Sequence, residues 1–174
     1  MKQFIKVTTV LFILFLSPYK VFADIPHFLD FKYILNQSEA GKKAQLTLKN
    51  KLEGGVKKIK VKEKNIQEEE KKIIAQKKII SAEEYKKKVN QLRNKVSVLQ
   101  KERNELLNNI SKQRLNARNE LLKNLNPIIK EYMVEKQIRM VIDKKSLLLA
   151  DDNLDITKDI ISILNKKLKT IKFN

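Results

Sequence analysis

Side chains that carry out chemistry in proteins are scarce in this sequence. His27 is the single histidine and cysteine is absent, so neither a nucleophile–base pair nor a soft-metal ligand set is available. His27 stands in or beside an apolar strand, where a packed or rim histidine is expected rather than a ligand. Asp151, Asp152, Asp155 and Asp159 lie close together, but their spacing lacks the loop glycine and closing bidentate glutamate of a calcium loop. Capping and solvation of a following helix account for them. No glycine-rich phosphate loop occurs. These residues predict no metal, no cofactor and no enzyme. What remains is a set of cations, Lys71, Lys72, Lys77, Lys78, Lys86, Lys87 and Lys88, whose chemistry is the attraction of anions.

Those lysines belong to a chain of 174 residues with three Gly, three Pro and a formal net charge of +18, which allows few turns. Residues 1 to 23 read as a cleavable signal peptide: Lys2 and Lys6, an unbroken apolar run from Val10 to Leu16, then Val21-Phe22-Ala23 at a peptidase site. The run is too short for the roughly 20 residues that span a bilayer. The mature protein is therefore expected to be soluble and exported. Most of the charge excess lies in residues 42 to 136, with 26 basic and 12 acidic side chains, a net of +14. That excess fits either a solvated lysine face or a capture surface for anionic partners.

The middle of the chain predicts two long antiparallel helices. Tyr85, Val89, Leu92, Val96, Leu99, Leu106 and Ile110 follow a heptad pattern interrupted at Arg103 and continued through Gln113 and Ala117. Leu52, Ile59, Ile66, Ile73 and Ile80 form a row seven apart, with Val56 on a second row diluted by Glu63 and Glu70. Ser81 followed by Glu84 makes a capping box, so the chain is expected to reverse near residues 79 to 81 and continue as two helices of roughly 45 residues each, about 65 Å long. Gly54-Gly55 reads as a hinge or as a tolerated cost, and Pro127 as a kink or a tolerated break.

The two ends predict a small β part. A strand-like run with Ile25, Phe28 and Phe31 precedes the first helix. After the second come "RMVID", "KKS" and "LLLAD", two strand-like runs joined by a tight turn, read as a β-hairpin containing Met140, Val141, Ile142, Leu147, Leu148 and Leu149. The helix "LDITKDIISILNKKL" follows, capped by Asp155 or Thr157, with Ile160, Ile161, Leu164, Leu168 and Ile171 on one face. These terminal pieces are too small to bury a core alone and need partners.

Phe28 to Gln45, "FLDFKYILNQSEAGKKAQ", and Asn126 to Asn165, "NPIIKEYMVEKQIRMVIDKKSLLLADDNLDITKDIISILN", resemble the Skp/OmpH family of periplasmic chaperones. The likeness rests on the strand-then-helix start with Ala40, Gly41 and Lys42, and on the Pro-containing helix end followed by strand, Asp, strand and helix. Pro26 and His27 depart from the family's plain strand start. The resemblance implies a mainly α fold with a small β part: a homotrimer with a β-barrel-like body from residues 24–41 and 137–174, and a coiled-coil arm from residues 42–136. It implies an ATP-independent holdase for unfolded outer-membrane β-barrel proteins, delivering them for membrane assembly. The nine apolar residues of the strand-like runs would build the trimer body. The seven lysines, with Val61, Ile74, Ile79 and Leu107 off the seam, would contact clients, and anionic lipid or lipopolysaccharide would be a secondary partner. Two other readings stand beside it: a structural coiled-coil envelope protein, and a basic coiled-coil binder of anionic lipid or nucleic acid. Nucleic acid conflicts with export.

Overall fold

The structure, a computed structural model, describes residues 25 to 171; the expected signal peptide and its cleavage after Ala23 lie outside the described residues. A short strand, β1 (His27–Leu29), leads through Asp30 into helix α1 (Phe31–Gln37). Asp30 starts that helix by accepting a hydrogen bond from the Tyr33 amide, the role its short carboxylate suits. Ser38 ends α1 and begins the next helix, α2 (Glu39–Gln76), by accepting from the Gly41 amide. Gly41 is buried, and a Cβ there would run into the Leu35 carbonyl oxygen and lie 2.9 Å from the Ser38 hydroxyl. The absence of a side chain therefore permits the two helices to meet at that corner.

Helix α2 runs without interruption through Gly54 and Gly55. Gly54 faces open space, whereas a Cβ on Gly55 would lie 2.5 Å from Leu106 Cδ1, so Gly55 clears room for the opposing helix. That helix, α3 (Ala82–Glu135), likewise continues through Pro127. The two are of unequal length, 38 and 54 residues, or about 57 and 81 Å. Their reversal falls at residues 77 to 81, where Ser81 accepts from the Glu84 amide at 3.2 Å. The reciprocal half of the expected capping box is not made: the Glu84 carboxylate lies by Lys88 instead, at 3.5 Å.

Between α2 and α3 the apolar seam is deep at Leu48, Ile59, Ile73, Ile110 and Ala117 and shallow elsewhere. Val96, expected within it, is largely exposed. Polar residues cross the gap in its place. Lys51 donates to Gln113, Lys62 pairs with Glu102, Lys95 with Glu69, and Lys88 donates to Gln76. Along α2 the last three rungs, at Lys62, Glu69 and Gln76, are 7 residues apart, the coiled-coil repeat, and Lys51 stands 11 residues before the first of them. Arg103 and Glu63, the interruptions in the two apolar rows, meet one another.

Helix α3 ends in a Schellman-type turn. The Ile138 amide donates to the Met133 carbonyl and the Gln137 amide to that of Val134, with Gln137 at φ 56°. Buried Ile138 then leads to strand β2 (Val141–Asp143), which pairs with β1 in parallel: His27 opposite Val141, Phe28 opposite Ile142, Leu29 opposite Asp143. The expected hairpin of residues 139 to 150 is not formed. Asp143 accepts from the Lys145 amide, residues 144 to 146 make a 3₁₀ turn, and residues 147 to 150 join no strand. The parallel arrangement prevails because β1 has no sequence neighbour to pair with, and it sets Phe28 beside Ile142 over the core.

The last helix, α4 (Thr157–Lys167), packs Ile160 and Leu164 against Ile34 of α1 and Leu121, Leu125 and Ile128 of α3, closing one continuous core. Ile161 and Leu168 pack at its margin and Ile171 within it. Two substitutions probe these joints. Gln137→Gly relieves a left-handed residue and should raise stability by about 1 kcal/mol. Gly41→Ala should lower it by about 1–3 kcal/mol, since the new methyl meets backbone. Urea unfolding followed by helical signal measures both; equal signs would show that these corners are not built as described.

Candidate functional site

Two regions carry unsatisfied surface. The first is the β end. Strand β1 is sandwiched, with β2 on one side and a bridge to Asp155 on the other, where the Ile156 amide donates to the Phe28 carbonyl at 3.0 Å. Among the described residues, strand β2 has a neighbour on one side alone. Beyond it Leu148 and Leu149 are 104% and 92% exposed, and Met140 and Ile25 are also exposed. Val141, Ile142 and Leu147 are half-buried. Phe28 lies within the fold, its ring 5.5 Å from Lys144 Nζ. Phe31 is not in a strand: it opens α1, with the Arg118 guanidinium 5.4 Å from its ring. His27 is half-buried and donates its amide to Met140, while its Nδ1 is buried without a partner.

Three of the four aspartates are spent on structure, and Asp152 is exposed. Asp151 accepts from the Asn153 amide, Asp159 from the Tyr132 hydroxyl at 2.6 Å, and Asp155 from the Thr157 amide and from Lys144. Thr157 in turn accepts from the Asp30 amide at 2.8 Å. Neither expected residue is the N-cap of α4: that position is Ile156, with no side-chain cap bond, and Asp155 one residue earlier accepts from the first helical amide, that of Thr157. Burial, the hydrogen bond to Asp159 and the negative charges of Asp159 and Glu135 push the Tyr132 hydroxyl up to about 12. Burial alone would raise Asp155, but hydrogen bonds from Thr157 and Lys144 outweigh it and hold this carboxyl below its ordinary value of 3.8. Among the described residues no group of His, Cys, Asp and Glu is placed to hold a metal ion.

The second region is the hairpin. Lys71 and Lys72 lie in the last turns of α2, Lys77 and Lys78 in the reversal, and Lys86, Lys87 and Lys88 in the first turns of α3. The fold thus collects all seven at one tip. Lys88 is engaged with Gln76 and Glu84, and Lys77 stands 5.9 Å from the Tyr85 ring. The other five are exposed. Val61, Ile74 and Leu107 are exposed, and Ile79 at the tip is 82% exposed. Leu46, Val98 and Leu115, not singled out in the sequence, are exposed as well.

Concavities lie along the hairpin. Near its middle, Ile66, Val98 and Leu99 floor a depression of about 390 Å³ walled by the Lys62–Glu102 and Lys95–Glu69 pairs. At its root, Gly41, Ala44, Leu48, Ile110 and Ala117 line a groove of about 740 Å³ edged by Arg114 and Arg118. Sequence reasoning missed this groove. Its one signal was the pair of arginines four apart, a spacing that sets them on one helix face.

A small body with parallel strands, carrying one long helical hairpin whose tip is cationic, defines the class of protein. The OmpH-like outer membrane protein family matches residues 27–164, and the chain belongs to it. A crystal structure of an OmpH-like candidate outer membrane chaperone from Caulobacter crescentus has a similar fold, with a TM-score of 0.80 at 18% sequence identity, over 86% of this chain and 90% of that one. No curated protein matches the sequence. Among the described residues no helix is long and apolar enough to cross a membrane.

The Asp155 carboxylate generates a pH expectation. A carboxyl whose folded pKa lies below 3.8 contributes stability above that value and loses it as pH falls through the folded pKa. Asp155→Ala should cost about 1 kcal/mol at neutral pH, the value of a lost hydrogen bond, and the gap between variant and wild type should narrow below pH 3.8. Thermal unfolding as a function of pH measures it. A gap that widens toward acid would contradict the assignment.

Proposed function

We propose that this protein is a periplasmic, ATP-independent holdase that binds unfolded outer-membrane β-barrel proteins, keeps them from aggregating and passes them on for membrane assembly. The observation that carries this reading is the composition of the hairpin surface: unengaged lysines surround exposed Ile79 and Ile74 at and near the tip, and Val61 and Leu107 are exposed further along the two helices. Unfolded barrel strands expose apolar faces and backbone edges that aggregate. A surface that is cationic and intermittently apolar meets such chains through many weak contacts, with long-range attraction to their acids.

A single hairpin cannot enclose a client. In this reading three copies assemble through residues 24–41 and 137–174, and the open edge of β2 with Leu147, Leu148, Leu149, Met140 and Ile25 supplies the interface, together with Phe28, Phe31, Val141 and Ile142. Exposed leucines next to an unpaired strand edge are what an assembly buries. Residues 42–136 then form three arms around a shared space, and avidity compensates for weak sites. Membership of the OmpH-like family and the candidate chaperone of like fold support this reading. Anionic lipid and lipopolysaccharide are secondary ligands of the same lysines. No catalytic step is part of the function.

The test is light scattering of an unfolded β-barrel protein diluted with and without this protein, alongside sedimentation to fix the oligomeric state. Suppressed scattering by a trimer is expected. A trimer that leaves aggregation untouched would instead be an envelope spacer. Replacing Lys71, Lys72, Lys77, Lys78, Lys86, Lys87 and Lys88 by Gln should slow association with an acidic unfolded client about tenfold. In the wild type, 0.5 M salt, where the Debye length is about 4 Å, should act similarly. An association rate indifferent to both changes would leave the lysines as a solvated face.

A further inference from the structure

The groove at the root of the hairpin sets cations at the edge of an apolar floor. Small residues, Gly41 and Ala44 of α2 and Ala117 of α3, set its depth, and Leu48 and Ile110 make it apolar. Arg114 and Arg118 are both exposed at its edge, one helical turn apart. No described acid pairs with Arg114. The nearest acids in sequence are engaged elsewhere: Glu120 accepts from Asn124, and Glu105 pairs with Lys101. A volume of about 740 Å³ is that of a ligand pocket, and it exceeds one side chain. An apolar floor beside an uncompensated guanidinium is complementary to a ligand that is apolar and anionic at once.

We propose that this groove is a subsite for an extended segment of an unfolded chain in which apolar and acidic residues alternate, its apolar side chain on the floor and its carboxylate on Arg114. The inference rests on the holdase reading and gives it a defined point of contact. An extended strand turns alternate side chains to opposite faces, so one face seats in the groove while a carboxylate at its margin reaches the arginine in bidentate fashion. A single acyl chain fits less well, because the groove is open to water along its side and rim residue Leu46 is 58% exposed. A peptide backbone tolerates that water; a hydrocarbon does not.

The experiment is fluorescence anisotropy of a labelled peptide of alternating Leu and Asp, titrated with full-length protein. Arg114→Glu should weaken binding about tenfold, the loss of one charge-assisted hydrogen bond with its ion pair, and Arg114→Lys should recover most of it. Leu46→Gln, at another exposed position, should weaken it about threefold. Lys58→Glu makes the same charge change at an exposed position of α2 outside the groove and outside the tip cluster, and should leave affinity nearly unaltered. A loss at Lys58 equal to that at Arg114 would overturn the proposal in favour of a diffuse field. Displacement of the peptide by phosphatidylglycerol vesicles in the wild type, but not in Arg114→Glu, would overturn it in favour of lipid. Light scattering run beside it separates the two claims. Suppressed aggregation with peptide affinity indifferent to Arg114 sinks the groove alone. Affinity that depends on Arg114 without any suppression sinks the holdase reading and leaves the groove standing.

Discussion

One three-residue strand holds the two ends of the chain together. The amide of His27 donates to Met140, the carbonyl of Phe28 accepts from Ile156, and the amide of Asp30 donates to Thr157. Each bond joins residues more than 110 positions apart, so none forms until the whole hairpin between them has closed. Loop closure of that length costs entropy before any contact rewards it. The reward is the core under β1, where Ile34, Leu121, Leu125, Ile160 and Leu164 are fully buried. Every other feature hangs on this clasp. It fixes where α2 departs, where α3 returns and which face of α4 is covered.

The clasp also explains what the sequence disclosed and what it did not. Long helices repeat their pattern many times, so the two helices and their apolar rows, the side-chain cap at Ser81 and the Ile160–Leu164 face of α4 were legible, though single members of the rows such as Val96 were not. Strands of three residues have no such redundancy. Parallel pairing of His27–Leu29 with Val141–Asp143 leaves no local trace, and "VID", "KKS" and "LLL" in succession imitate a hairpin. The tertiary partner decided between them. In the groove, small residues matter by what they omit, and Gly41, Ala44 and Ala117 advertise nothing in isolation. The arginines beside them were ordinary members of a basic chain until the fold set them over apolar side chains.

Charge is distributed by the same geometry. Acids on the hairpin are largely drawn to the seam or to neighbours on the same helix: Glu63, Glu69 and Glu102 bridge to the opposite helix, while Glu53, Glu68, Glu84 and Glu105 pair one turn away. The basic excess is then left outward. Exposed pairs of this kind are worth about 0–1 kcal/mol each, too little to hold two helices of this length together. Their regular spacing does something else. A slip of one heptad would set Lys62 and Lys95 against the wrong rungs and bring Arg103 away from Glu63, so the ladder selects one register among several that the apolar rows would tolerate.

A narrow seam also accounts for the apolar side chains left outside it. Two helices alone bury one stripe, and any Val or Leu off that stripe stays in water. Val96, Val98, Leu107 and Leu115 are in this position on α3, as Leu46, Val61 and Ile74 are on α2. A wider interface would cover them and stiffen the hairpin, at roughly 25 cal/mol for each Å² removed from water. It would also erase the surface that a greasy unfolded chain requires. The shallow stretches of the seam and the exposed apolar residues are therefore one property seen from two sides: the hairpin is held by register and by its buried root, and its remaining apolar area stays available for something that is not part of this chain.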